Sequence, residues 1–292
     1  MNRHVLIIDG MNFLHRARSG FAMGPAPVVY NFMRNFRAIV EQFAPDYIYF
    51  VLEGHPQQRI DALPQYKANR QVEADSAAHE EQKKFFKQVD HIIELLGVSF
   101  PVRVVRHPEL ECDDVIYDLV SDPTWIIDDS YPDPYELKYT VVSNDSDFTQ
   151  LLCEFDNVSV YNPMLKKYVE KPDYDYVTWK ALRGDGSDNI PGIPGIGDVT
   201  ATKAMDDPEL LREILSRNGA AEIFQRNVNL IKFITIKDTE KGKVEHLGVM
   251  WNTHKSWEPL RQAFEKYGFQ SLLKPEAWQK YIGTFHHQLH VA

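Results

Sequence analysis

Carboxylates gathered at short spacings are the first chemistry this chain offers. Asp9 closes an apolar run at residues 5–8, and Glu111, Asp113 and Asp114 fall within four residues of one another. Asp145 and Asp147 follow another apolar run, and Asp185 and Asp188 lie in a glycine-rich stretch. A single Asp at such a place is a turn or a helix cap, favoured by free N–H groups and the helix dipole. Three acids in four residues exceed what capping needs. If acids at strand ends converge, like charges about 4 Å apart repel by roughly 4 kcal/mol per pair at an effective dielectric near 20, so the cluster asks for cations. A carboxylate site with few His or Cys ligands suits Mg²⁺ or Mn²⁺ rather than Zn²⁺. Two such ions about 3.5–4 Å apart suit in-line phosphodiester hydrolysis.

Residues 59–70 form a cationic island in which Lys67 and Arg70, three apart, reach one side of a helical turn. They could hold a phosphate, and Tyr66 could stack on a base. Taken alone, the stretch reads more simply as a solvated helix face. Residues 189–198 place Gly192, Gly195 and Gly197 in a tight turn between helical stretches. Its outward amides, with the amino end of the next helix, suit a phosphate and grip a backbone without reading its sequence. Lys180, Arg183 and Lys203 flank this turn.

These residues need a scaffold. Strands are predicted at residues 5–8, 47–52, 102–105, 139–142 and 158–161. Between them run helical stripes, one through Val28, Val29, Phe32, Phe36, Ile39, Val40 and Phe43 that stops before Pro45. Another runs through Phe85, Phe86, Val89, Ile92, Ile93 and Leu96 and closes at Gly97. The alternation predicts an α/β fold, a mostly parallel sheet with helices on both faces, whose strand carboxyl ends line the ligand crevice. From about residue 174 clear strands stop and helices joined by tight turns take over, which places a domain boundary near residue 175. Residues 128–134, rich in Pro and Asp, read as a surface loop.

The chain has 292 residues, with 32 basic against 42 acidic and a net charge of −10, which argues against a blanket nucleic-acid binder. Its 43% hydrophobic content is ample for a core. No apolar run approaches the ~20 residues of a membrane span, and the start runs straight into a strand without a signal peptide. Cys112 and Cys153 are the two cysteines, so no disulfide framework is expected and a reducing cytoplasm is the simplest compartment. His286, His287 and His290 read as an exposed tail rather than a metal site.

Taken in order, these motifs resemble the 5′ nucleases: phage flap endonucleases, 5′–3′ exonucleases and the amino-terminal nuclease domain of bacterial DNA polymerase I. Residues 8–17 look like the family's opening strand and turn, and residues 63–70, Leu-Pro-Gln-Tyr-Lys-Ala-Asn-Arg, like the start of its helical arch. Glu111-Cys112-Asp113-Asp114 and Asn144-Asp145-Ser146-Asp147 resemble the central carboxylate clusters, and residues 184–197 the helix-three-turn-helix. Residues 263–273 are similar to the closing helix and strand-like tail.

The resemblance implies a PIN-like nuclease domain over residues 1–175, with an arch at about 67–96, and a helix-three-turn-helix DNA-binding domain with a C-terminal tail over 176–292. It implies that Asp9, Glu111, Asp113, Asp114, Asp145, Asp147, Asp185 and Asp188 serve two Mg²⁺ ions, with Mn²⁺ as a substitute. Lys67 and Arg70, helped by Arg16, would contact the scissile phosphate. Lys83, Lys84 and Lys87 would line the arch through which a single-stranded 5′ end passes. Tyr66, Lys180, Lys203 and the turn at Gly192, Gly195 and Gly197 would bind DNA, the turn through a K⁺ ion on its carbonyls. The implied activity is a structure-specific 5′ nuclease on branched or 5′-ended DNA, in replication primer removal or repair. The implied protein is a cytoplasmic monomer without a membrane partner, in the host cytoplasm if phage-encoded. A ribonuclease H acting on RNA–DNA hybrids is one alternative.

One position departs from the family. Where it has Asp after the second strand, residues 50–55 read Phe-Val-Leu-Glu-Gly-His, with a shorter loop following. Glu53 has one more methylene and reaches a metal directly or through water, so a perturbed first metal site is expected. It also motivates a second alternative, a weakened protein that binds branched DNA without cutting it. A Toprim enzyme would need Glu where Asp9 stands, and a haloacid-dehalogenase-type phosphatase would need Asp where Met11 stands.

Overall fold

The computed structural model describes residues 3–22, 24–70, 76–122, 124, 137–247 and 255–290. In order, the chain forms β1 (Arg3–Asp9), α1 (Gly10–Arg18), α2 (Pro27–Phe43), β2 (Tyr47–Leu52), α3 (Gln57–Ala62) and α4 (Ala77–Ser99). Next come β3 (Arg103–Arg106), α5 (Cys112–Ser121), β4 (Leu137–Val142), α6 (Thr149–Glu154), β5 (Val158–Asn162) and β6 (Lys167–Tyr168). A helical stretch follows: α7 (Tyr176–Arg183), the short pair β7 (Gly184–Asp185) and β8 (Ile190–Pro191), α8 (Asp198–Asp206), α9 (Pro208–Leu215) and α10 (Ala220–Ile231). The chain ends in α11 (Asp238–Lys241), β9 (Glu245–Leu247), α12 (Glu258–Tyr267), α13 (Gln270–Leu273), α14 (Pro275–Gly283) and α15 (His286–His290).

Among the described residues, seven strands form one sheet in the order β6-β5-β4-β1-β2-β3-β9. β1 to β5 run parallel, and the edge strands β6 and β9 pair antiparallel. The period of two divides the central strands between two cores. Leu6, Ile8, Ile48, Phe50 and Leu52 face the core of α1, α2 and α4, while Val5, Ile7, Tyr49 and Val51 face that of α5 and α6. A sheet covered on both faces needs unbroken apolar strands, which is why β1 and β2 were legible. Because these strands are parallel, Asp9, Glu53 and Asp145, each at or just past a strand's carboxyl end, come to one edge, together with the start of α5.

Three expectations need correction. α4 does not close at Gly97 but runs on to Ser99, because its buried stripe continues through Leu95, Leu96 and Ser99. A glycine inside a helix costs only about 1 kcal/mol, which such packing offsets. Strands do reappear after residue 174: β7 pairs with β8, and β9 joins the main sheet. Three residues with one aliphatic side chain give no run to read. Residues 176–292 are not one helical unit either. The stretch α7–α10 has its own core, but Leu260, Phe264, Trp278, Tyr281 and Phe285 pack into the core of α2 and α4. The tail therefore belongs to the sheet domain, and its expected strand-like end is helical, α13 following α12 directly after the Gly268 turn. Residues 71–75 of the expected arch and the loop at 128–134 lie outside the described residues. No described helix is long and apolar enough to cross a membrane.

Candidate metal and nucleic-acid site

At the strand ends a cleft of about 740 Å³ opens, its floor carrying Asp9, Glu53, Asp113 and Asp145. Asp9 caps α1, accepting the Asn12 N–H at 3.1 Å, so the modest reading of that residue also holds. Its other oxygen accepts the Ser143 hydroxyl at 2.7 Å. Glu53 accepts the Cys112 N–H at 3.2 Å. Burial pushes the Asp9 carboxyl up to about 6 and Glu53 to about 7, with nearby carboxylates adding to both. Burial, then Asp145, Asp9 and Glu53, drive Asp113 well above the carboxylate range. Acids that resist ionising because they are buried, and further because they crowd one another, are what a divalent cation relieves.

The loop behind Glu53 is held by Gly54, whose N–H donates to Leu110 O at 3.0 Å. A Cβ there would lie 1.9 Å from His107 O, so only glycine lets the Glu53 and Glu111 loops touch.

A second group lies beside the first. Carboxylate oxygens of Asp147, Asp185 and Asp188 fall within 4.8 Å of one another. Lys180 enters this group, bonding to Asp147 and lying 2.6 Å from Asp185 Oδ2. Burial opposes ionisation of Asp185, but Lys180 and the Ser187 hydroxyl and amide hold it down at about 2. Burial raises Asp188 despite Lys67 and Arg70. Lys180 was expected on a DNA-facing surface, yet it is 3% exposed and serves as an interior counter-charge. α7 packs on α6, and Lys180 reaches Asp147 just before that helix.

Lys67 and Arg70 stand at the seam between the groups. Lys67 takes a left-handed backbone, φ 53°, and donates its N–H to Asp188 O at 2.9 Å. A non-glycine residue held there is strain, and strain of this kind gathers at functional sites. Its ammonium pairs with Glu111 and lies 3.7 Å from Asp188, while the Arg70 guanidinium pairs with Asp188. Arg16 lines the same cleft. Glu111 is also reached by Arg59 at 2.8 Å and by the Tyr66 hydroxyl at 2.8 Å; burial would raise its carboxyl, but Lys67 and Arg59 lower it.

Two further expectations fail here. Tyr66 is buried and its hydroxyl donates to Glu111, so it does not offer a face to a base. Asp114 gives its oxygens to Arg59 at 2.6 and 2.8 Å and to the Ile234 N–H at 2.8 Å, away from the cleft. Successive helical residues point about 100° apart, so the start of α5 sends Asp113 to one side and Asp114 to the other. Lys83 and Lys84 pair with Glu80 and Glu81 on the exposed face of α4, where Lys87 is also exposed. Gly192, Gly195 and Gly197 form the turn before α8, with Gly195 at φ +79° and open space around it; Lys203 is exposed on α8. Sequence reasoning missed Arg59 as a partner of the acids, and no spacing signal marks it.

The oxygen donors, their crowding and the raised carboxyls fit divalent cations. A family model, the 5′-3′ exonuclease N-terminal resolvase-like domain, matches residues 4–181. The chain belongs to this 5′–3′ exonuclease family. Thermostable DNA polymerase I of Thermus caldophilus is 26% identical over 259 residues, 83% of this chain and 27% of the polymerase. DNA polymerase I of Mycobacterium bovis is 31% identical over 207 residues, 66% of this chain and 21% of the polymerase. The chain thus spans about a quarter of the length of the curated relatives it matches. Among solved structures, the flap endonuclease of bacteriophage T5, in a pseudo-enzyme-product complex with DNA and metal ions, aligns with a TM-score of 0.62. It is 20% identical, over 78% of this chain and 89% of that one, a likeness of fold. The match to the 5′–3′ exonuclease family ends inside α7. It is geometry, then, that joins Asp185 and Asp188 to Asp147 and completes the second group.

Proposed function

We propose that this member of the 5′–3′ exonuclease family is a structure-specific 5′ nuclease that hydrolyses phosphodiester bonds in branched or 5′-ended DNA, in replication or repair. The observation that carries this reading is the carboxylate group on the cleft floor, with Lys67 and Arg70 in the cleft lining and the second, more buried group paired with them from behind. Asp9, Glu53, Asp113 and Asp145 would hold one divalent ion and Asp147, Asp185 and Asp188 a second, with Glu111 between them. When bound, Mg²⁺ or Mn²⁺ supplies charge neutralisation at the phosphate and activation of water.

The chain's own groups do the rest. Lys67 and Arg70 turn from the acids to the non-bridging oxygens of the scissile phosphate, where a charged donor lowers the barrier as negative charge builds up. Glu111 orients Lys67, and Arg16 receives the neighbouring phosphate. Met11, Phe86, Val89 and Ile93 give the cleft an apolar wall that suits the bases of an unpaired strand. The glycine turn and α8 hold the duplex by its backbone, and the open space at Gly195 leaves room for a phosphate or a K⁺ ion on the carbonyls. RNA–DNA hybrids form a second substrate class for the same cleft. We place the protein in the cytoplasm as a monomer.

The test is a 5′-labelled flap, a plain duplex and an RNA–DNA hybrid, each with Mg²⁺ and with chelator. Metal-dependent cutting near the flap junction is expected, with Lys67→Ala slowing it at least 100-fold while Mn²⁺ affinity holds or rises, since a competing cation is gone. Tight flap binding without cutting in either metal would sink the nuclease reading in favour of a binding protein.

A further inference from the structure

One buried group outside the cleft is tied into more of the molecule than packing requires. Arg59, in α3, is 4% exposed. Its Nη1 and Nη2 donate to Asp114 at 2.6 and 2.8 Å, and Nη1 lies 2.8 Å from Glu111. Its Nε donates to Leu230 O at 2.9 Å and Nη2 to Lys232 O at 3.3 Å. Those carbonyls belong to the end of α10 and the strap that follows, residues 230–236.

The strap is held along its length by the sheet domain. Gln150 donates to Ile231 O at 3.1 Å, Asp114 accepts the Ile234 N–H at 2.8 Å, and Asp118 accepts the Ile236 N–H at 3.2 Å. Asp114 and Asp118 sit one turn apart on α5, the helix that presents Asp113 to the cleft and follows directly on Glu111. At its other end the strap continues α10, which packs on α7, the helix that leads into Asp185 and Asp188. The two carboxylate groups thus share one buried polar seam, with Arg59 at its centre.

We propose that Arg59 and Asp114 are positioning residues that lock the start of α5 against the 230–236 strap, so that the metal affinity of Glu111 and Asp113 depends on this seam. The inference rests on the metal-binding reading above. A planar fork with two parallel bonds to one carboxylate fixes orientation as well as distance, which an ammonium cannot do. Electrostatics alone gives the opposite sign: a guanidinium beside Glu111 repels a divalent cation, so its loss should tighten metal binding. Positioning requires that its loss loosen it.

The sign of the change therefore decides. Mn²⁺ binding to the 292-residue chain is measured by isothermal titration calorimetry, without DNA, for the wild type, Arg59→Lys, Arg59→Met and Ile234→Pro, with circular dichroism to establish folding. Arg59→Lys and Arg59→Met are expected to weaken Mn²⁺ about 10- to 100-fold, the usual effect of losing a group that orients a metal ligand. Ile234→Pro changes no charge but removes the N–H that Asp114 accepts, and is expected to move affinity in the same direction. If Arg59→Met does not fold, Arg59→Lys and Ile234→Pro decide. Unchanged or tighter binding in folded Arg59→Lys or Ile234→Pro overturns the proposal while leaving the nuclease reading intact. A wild-type chain that binds no Mn²⁺ overturns both.

Discussion

Glu53 and Asp9 must be ionised to hold a cation, yet they sit where burial favours their neutral forms. The folded protein therefore holds these protons more tightly than the unfolded chain does. For Glu53 the carboxyl moves from its usual 4.5 to about 7, which at about 1.4 kcal/mol per unit is roughly 3 kcal/mol. A raised carboxyl costs nothing below its unfolded value and the full amount above its folded one. The Glu53 contribution thus lowers stability as pH rises from about 4.5 to about 7. In chelator, the melting temperature of Glu53→Gln relative to wild type is expected to rise across that window; a constant difference would remove Glu53 from the crowded set. At this scale the sequence was a good guide to which acids matter and a poor one to which way they point. Asp113 and Asp114 are adjacent, and only the packing of α5 decides that one reaches the cleft and the other Arg59. For the same reason Lys180 and Tyr66, polar residues that read as surface groups, turn out to be interior partners of the acids.

Among elements, the joint between β2 and α5 is the most exacting. Gly54 lets the loop after β2 touch the loop before α5, and each carries a carboxylate of the site. Gly54→Ala should destabilise the fold by about 1–3 kcal/mol through backbone overlap, read as a lower urea midpoint, and should weaken Mn²⁺ binding in the same protein. A normal midpoint would mean that the loops can part without loss. The elements legible in advance were those with a strong period: β1, β2, β4 and β5 from their apolar runs, and α2 and α4 from their stripes. β9 was not, because three residues on the edge of a sheet are placed by the neighbours they pair with, including an Arg106–Glu245 ion pair, rather than by their own pattern.

For the whole molecule, the departure from expectation is the tail. Phe264, Trp278, Tyr281 and Phe285 complete the core beneath α2 and α4 alongside Phe36 and Phe100. An aromatic-rich helix gives no hint in its own sequence of which distant surface it covers. A chain cut after residue 254 is expected to expose that face, bind a hydrophobic dye and lose its cooperative melt; a sharp, dye-free melt would show the tail to be dispensable.

The position of β1 has a consequence for how the protein is made. β1 precedes the other strands of its sheet in the chain, yet its two neighbours there are β2 and β4, and β4 comes far later. Such non-local pairing makes for slow assembly. The first carboxylate group needs β4 in place, the second needs Asp185 and Asp188, and the core is closed only when the tail arrives. Until all of these segments are in place the chain has no assembled cleft, so metal binding would appear late in folding.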